Sequence, residues 1–117
     1  HLSGLEIDSD DVFSVLFETA RCPVVSVQMN YLDSTLRREV LALTDQGTVR
    51  ADLVRGTLKV DGEIETFTVG RDDTYLAQHQ AALASGGGLC TLAEGLDVMR
   101  MIEAAERAAS DGTWIER

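Results

Sequence analysis

The apolar residues of this chain change their spacing once, near Gly70. Before that point they fall into six short runs separated by turn residues. After it they recur at three- and four-residue steps. Strands followed by helices, with no alternation between them, argue against a parallel βαβ sheet and for an α+β domain. The expected architecture is an antiparallel β-sheet meander with the C-terminal helices packed on one face and the other face open for association. A chain of 117 residues has the size of one domain, so 1–117 is read as a single domain. Residues 1–8 read as a tag remnant or frayed terminus, and His1 is given no function.

The strand runs carry distinct patterns. Val12–Phe17 is apolar on both alternating sides, which marks a strand covered on both. Val24–Leu32 alternates, with Val25, Val27, Met29 and Tyr31 on one side and Ser26, Gln28 and Asn30 on the other. Leu36–Thr44 and Thr48–Val54 are joined by Asp45-Gln46-Gly47, and Val49, Ala51 and Leu53 are expected inward. Arg55-Gly56 bends the chain into Thr57–Val60. Asp61-Gly62 then links this run to Glu63–Val69, and Asp-Gly between alternating runs is a strong hairpin signal because both residues adopt positive φ.

Two helices are expected after Gly70. Asp72 or Asp73 can cap a helix over 74–85, with Tyr75, Gln78 or His79, Ala82 and Leu83 on one face. Gly86-Gly87-Gly88 breaks the chain. The second helix, over 92–109, carries the clearest local signals. Thr91 and Glu94 form a capping box, and Asp111-Gly112 supplies the stop. Leu92, Leu96, Met99, Ile102, Ala105 and Ala109 share one face, which is the expected inward one.

The formal net charge of −10 argues against nucleic acid and anionic membrane surfaces, since phosphate binding needs clustered Lys and Arg. No apolar run reaches the length of a membrane-spanning helix. Cys22 and Cys90 read as reduced, partly buried thiols, and the expected location is cytoplasmic. No further Cys or His stands at metal-ligand spacing, so no metal is expected.

Few residues suggest chemistry. The glycine triplet follows a helix and lacks the G-x-G-x-x-G spacing of a dinucleotide site. His79 can act as a polar contact or a general acid–base group. Arg37 and Arg38 can grip an anion bidentately; the competing expectation is cross-strand pairing with Glu63 or Glu65. The acidic run Asp8, Asp10 and Asp11 reads as a solvated end. Tyr31 and Trp114 read as packing residues.

From Leu36 onward the chain resembles the C-terminal part of the glucose–fructose oxidoreductase/inositol dehydrogenase/MocA family. The matching pieces are LRREVLALTDQGTVRADL with Arg37 or Arg38, Gly47 and Asp52; Asp72-Asp73-Thr74-Tyr75 opening a helix; and Thr91–Leu96 with the small-residue helix ending at Ser110-Asp111-Gly112. The likeness covers roughly Val24 to Ile115. Where the family often has a Glu and a Phe after the tyrosine, this chain has Gln78 and Ala82. The family's N-terminal Rossmann domain, with its fingerprint and catalytic motifs, is absent. The resemblance implies the C-terminal, substrate-side and oligomerisation domain of an NAD(P)-dependent oxidoreductase acting on a sugar-like or polyol substrate. Such a fragment is inert alone and holds no cofactor, and NAD or NADP belongs to the parent. Arg37, Arg38, Tyr75 and His79 become substrate-side candidates. The implied partners are a second copy and the missing Rossmann domain. Two other readings stand beside it: a free-standing small-ligand-binding or protein-interaction module, and a small α+β enzyme using His79 with Asp72 or Asp73.

Overall fold

The computed structural model describes residues 3–84 and 87–116. The proposed tag residue His1, the end of the expected first helix at Ser85 and the first glycine of the triplet, Gly86, lie outside the described residues. The chain divides into two compact units, one ending at Val69 and the other beginning at Gly70.

The first unit holds two antiparallel sheets. β1 (Val12–Phe17) pairs with β2 (Val25–Asn30). β3 (Glu39–Thr44), β4 (Gly47–Asp52), β5 (Thr57–Val60) and β6 (Glu63–Thr66) form a four-stranded meander in that order. The fold is therefore α+β with antiparallel strands and C-terminal helices. The strand run is shared between two sheets where a single meander was expected. Local side-chain bonds account for the break. The Asn30 side-chain oxygen accepts the N–H groups of Leu32 and Asp33 at 2.8 and 2.7 Å, and Asp33 accepts that of Thr35 at 3.2 Å. Such bonds offer the backbone an alternative to the ladder. The second strand thus stops at Asn30 instead of Leu32, and the third starts at Glu39 instead of Leu36.

Register sorts the side chains. Phe13, Val15 and Phe17 lie opposite Met29, Val27 and Val25, giving the hairpin one wholly apolar face. Val40, Ala51 and Leu58 align across the second sheet, as do Ala42, Val49 and Val60. The other face carries Leu41, Arg50, Lys59 and Ile64 in one row. Asp61 and Gly62 have φ of 48° and 104°, as the hairpin signal demands. The Asp61 carboxylate also accepts the Thr48 N–H at 2.8 Å, which ties this turn to the start of β4.

Among the described residues no apolar side chain is buried, and Asp11 is the one buried residue. This corrects the solvated reading of the acidic run at one position. The Asp11 carboxylate accepts the Ser3 N–H at 2.6 Å and its carbonyl accepts the Tyr31 N–H at 2.9 Å, which compensates its loss of water. Tyr31 and Trp114, expected to pack, are both exposed, as are Cys22 and Cys90, which were expected to be partly buried.

The second unit holds α1 (Asp73–Leu83) and α2 (Leu92–Asp111). The capping box of α2 is complete. Thr91 accepts the Glu94 N–H at 3.2 Å, and Glu94 accepts the Thr91 N–H and hydroxyl at 2.8 Å each. Gly112 closes the helix at φ 65°, donating its N–H to the Ala108 carbonyl at 2.9 Å. The covered side of α2 differs from expectation. Leu92 and Met99 are 81% and 61% exposed, whereas Met101, Ala104, Ala105 and Ala108 are half-buried. Past Gly112 the tail runs beside the helix, and Ile115 shares a shallow cleft with Ala104 and Arg107. Of the half-buried set Ala104 is the member that lines this cleft, on a side of the helix that periodicity alone does not select.

Candidate functional site

Arg37 and Arg38 sit in the connector after β2 and not in a strand. The Arg37 guanidinium pairs with the Asp33 carboxylate four residues earlier. The pair is largely exposed, so it orders the connector more than it stabilises the fold. The Arg38 carbonyl accepts the Leu53 N–H at 2.8 Å, which extends the β3–β4 ladder by one residue. Among the described residues neither arginine pairs with Glu63 or Glu65. The sheet order explains this: β3 and β6 are opposite edges, three strand spacings or roughly 14 Å apart. The acid–base pair across the sheet is Glu39 with Arg50, whose Nη2 lies 2.9 and 3.0 Å from the two carboxylate oxygens. These residues are diagonal neighbours on one face, the position at which long charged side chains meet.

Tyr75 and His79 are one turn apart on α1 and both are exposed. His79 Nδ1 lies 2.7 Å from the Tyr75 carbonyl oxygen. A carbonyl only accepts, so Nδ1 donates this bond. This turn of α1 thus carries one imidazole and one phenol on exposed residues. Neither Asp72 nor Asp73 completes a dyad with this histidine. The Asp73 carboxylate takes the Gly70 N–H at 2.6 Å. Asp72 precedes His79 by seven residues, about 10 Å along a helix axis. Of the four candidates, Arg37 and Arg38 belong to the first unit and Tyr75 and His79 to the second.

Asp52 and Glu94 are each held below the ordinary carboxylate range, and both serve the backbone. Asp52 accepts the N–H groups of Arg55 and Val54 at 2.9 and 3.0 Å, with the guanidinium groups of Arg55 and Arg50 adding to the effect. Glu94 is held down by the Thr91 N–H and then by its hydroxyl. The Asp52 turn is a feature that the sequence reading missed; an Asp two and three residues before its N–H partners is the signal that marks it.

A shallow cleft along α2 is lined by Asp97, Arg100, Glu103, Arg107, Ile115 and Glu116. Arg100 is engaged with Asp97 at 3.0 Å. Among the described residues no three of His, Cys, Asp and Glu gather as a metal site would require, and no helix is long and apolar enough to cross a membrane. Compared with known protein families, curated proteins and solved structures, the chain matches none.

Proposed function

We propose that the chain is the C-terminal, substrate-side domain of a cytoplasmic NAD(P)-dependent oxidoreductase of the glucose–fructose oxidoreductase/inositol dehydrogenase/MocA type. In this reading the substrate is sugar-like or a polyol, and a sheet face joins a second copy. What carries the reading is the succession of elements that the resemblance requires. An arginine pair leads into β3, a turn ending in Gly47 leads into β4, Asp72-Asp73 opens α1, and a Thr91-capped helix ends at Gly112.

The residues present do not fit the dinucleotide itself. A pyrophosphate is received at a helix N-terminus by free N–H groups and a favourable dipole. Here both helix starts carry carboxylates instead: Asp72 and Asp73 on α1, and Glu94, already bonded to Thr91, on α2. No step through the cofactor is therefore assigned to this chain. In this reading Arg37 and Arg38 in the first unit, and separately Tyr75 and His79 in the second, are candidates for contacts to hydroxyl or carboxylate groups of a substrate.

The test is the reading frame upstream of this segment. The expected result is a strand followed by G-x-G-x-x-G, roughly a hundred residues or more before His1. A start codon close to Leu2 would remove the reading in favour of a free-standing module. Calorimetric titration of the present chain with NADH and NADPH is expected to give no heat of binding, and micromolar binding would contradict the assignment of domains.

A further inference from the structure

Each sheet of the first unit has two edges, β1 and β2 in one and β3 and β6 in the other, and hydrogen-bond parity identifies which groups of β2 and β3 point outward. The Tyr31 N–H donates to the Asp11 carbonyl, which makes the odd-numbered residues of β2 face β1. The N–H and C=O groups of Ser26, Gln28 and Asn30 therefore point away from β1. The Leu53 N–H donates to the Arg38 carbonyl, so the even-numbered residues of β3 face β4. Those of Glu39, Leu41 and Leu43 point away.

Both edges lack protection. Natural edges carry charges, prolines or bulges that discourage a further strand. Val25–Asn30 has no charge and no proline, and β3 has none after Glu39. The strands are consecutive, and residues 31–38 between them hold local turns made by the Asn30 and Asp33 side chains and the Arg37–Asp33 pair.

We propose that β2 and β3 close on each other as an antiparallel pair, so that the β1–β2 hairpin is a strap completing a six-stranded sheet. A register of this parity satisfies two independent demands, a slip of two residues keeps both, and the cysteine pair below fixes which one is used. Setting Gln28 opposite Leu41, with Ser26 opposite Leu43 and Asn30 opposite Glu39, matches free groups with free groups on both strands. The same register sets Met29 opposite Val40 and Val27 opposite Ala42. That places the apolar face of the hairpin on the same side as the apolar row Val40, Ala51, Leu58 of the second sheet. A shift by one residue would mismatch both the hydrogen bonds and the faces. A second copy of β3 is the rival occupant of the same edge. The in-chain strand is favoured because an eight-residue connector holds it at high effective concentration.

Amide exchange followed by NMR on the unmodified chain tests the closure. The β6 edge supplies an internal standard, since the Phe67 N–H donates to the Gly56 carbonyl and leaves the Ile64 and Thr66 groups facing outward. Gln28 and Leu41 are expected to exchange at least about tenfold more slowly than Ile64 and Thr66. Equal rates overturn the proposal. The occupant is identified by a cysteine pair, Val27→Cys with Ala42→Cys, in a chain also carrying Cys22→Ser and Cys90→Ser. Non-hydrogen-bonded neighbours stand about 4.5 Å apart, within disulfide reach. Mild oxidation is expected to link them within one chain, while Val27→Cys with Leu41→Cys, on opposite faces, is not. Links between chains, links in the control pair, or slow exchange without any link would each overturn the β2–β3 pairing in this register. If the substituted chains do not fold, the exchange comparison decides alone.

Discussion

At the scale of single residues, Gly56 shows what a turn residue can conceal. It has φ of 65°, and a Cβ built on it would stand 2.3 Å from the Phe67 carbonyl oxygen. The Phe67 N–H meanwhile donates to the Gly56 carbonyl at 2.7 Å, which fixes the approach. Gly56→Ala costs about 1–2 kcal/mol for the left-handed conformation alone, before any collision. Its total loss in urea unfolding is expected to exceed that of Gly62→Ala, where φ is 104° but nothing lies near the added carbon. Equal losses would mean that the contact relaxes freely. The bend at Gly56 is legible in the sequence; the collision is not, because Phe67 is eleven residues away and arrives only when β5 and β6 pair. Asp52 and Glu94 make a prediction about pH. Both carboxylates are lowered in the folded chain by bonds to the backbone. Their contribution is therefore complete above the ordinary carboxylate value, about 4, and lost as pH falls through the folded value. The urea midpoint is expected to be level above about pH 5 and to decline on acidification. Glu94→Gln, which keeps an acceptor for Thr91, is expected to flatten part of that decline; an unchanged slope would remove Glu94 from the account.

At the scale of elements, α2 separates what local chemistry dictates from what surroundings decide. Its start and end were both legible, since the capping box and the Gly112 stop act within a few residues of each other. Its covered face was not. Periodicity groups Leu92, Leu96, Met99 and Ile102 on one side, yet it cannot say what lies against that side. Here the tail carrying Ile115 runs along a different side, and the half-buried set is rich in alanine. The same limit applies to Arg37 and Arg38: their pairing with Glu63 or Glu65 needed β3 and β6 to be near neighbours, and strand order made them opposite edges. The energetic ranking follows the geometry. Thr91→Ala is expected to cost about 1 kcal/mol through the lost cap. Met99→Ala, at an exposed position, is expected to stay within about 0.5 kcal/mol in dilute solution. Urea melts in which Met99→Ala is the worse of the two would show that the stripe is covered in solution.

At the scale of the whole molecule, the balance between apolar faces and charge makes a prediction about association. Val40, Ala51 and Leu58 form one apolar row of the second sheet, and Ala42, Val49 and Val60 form the next. Val40 and Val60 are both exposed. Exposed apolar groups in contiguous rows mark interfaces, and a two-fold pairing of identical chains is the commonest way of covering them. Against this stands a net charge of −10 on each copy, which repels a second copy. Salt distinguishes the two forces. Raising ionic strength from about 0.1 M to 1 M shortens the screening length from about 10 Å to about 3 Å, while leaving apolar attraction intact. Light scattering coupled to size exclusion, at about tens of micromolar chain, is therefore expected to show a dimer whose fraction grows with salt. Val49→Asp, which puts a carboxylate into the apolar face, is expected to abolish it. Lys59→Glu, on the opposite face, adds the same sign of charge to the molecule and is expected to leave the dimer intact at high salt. Loss of association in both variants would trace the effect to net charge and not to the face. A clean monomer at every concentration and salt would show that these rows do not meet another copy.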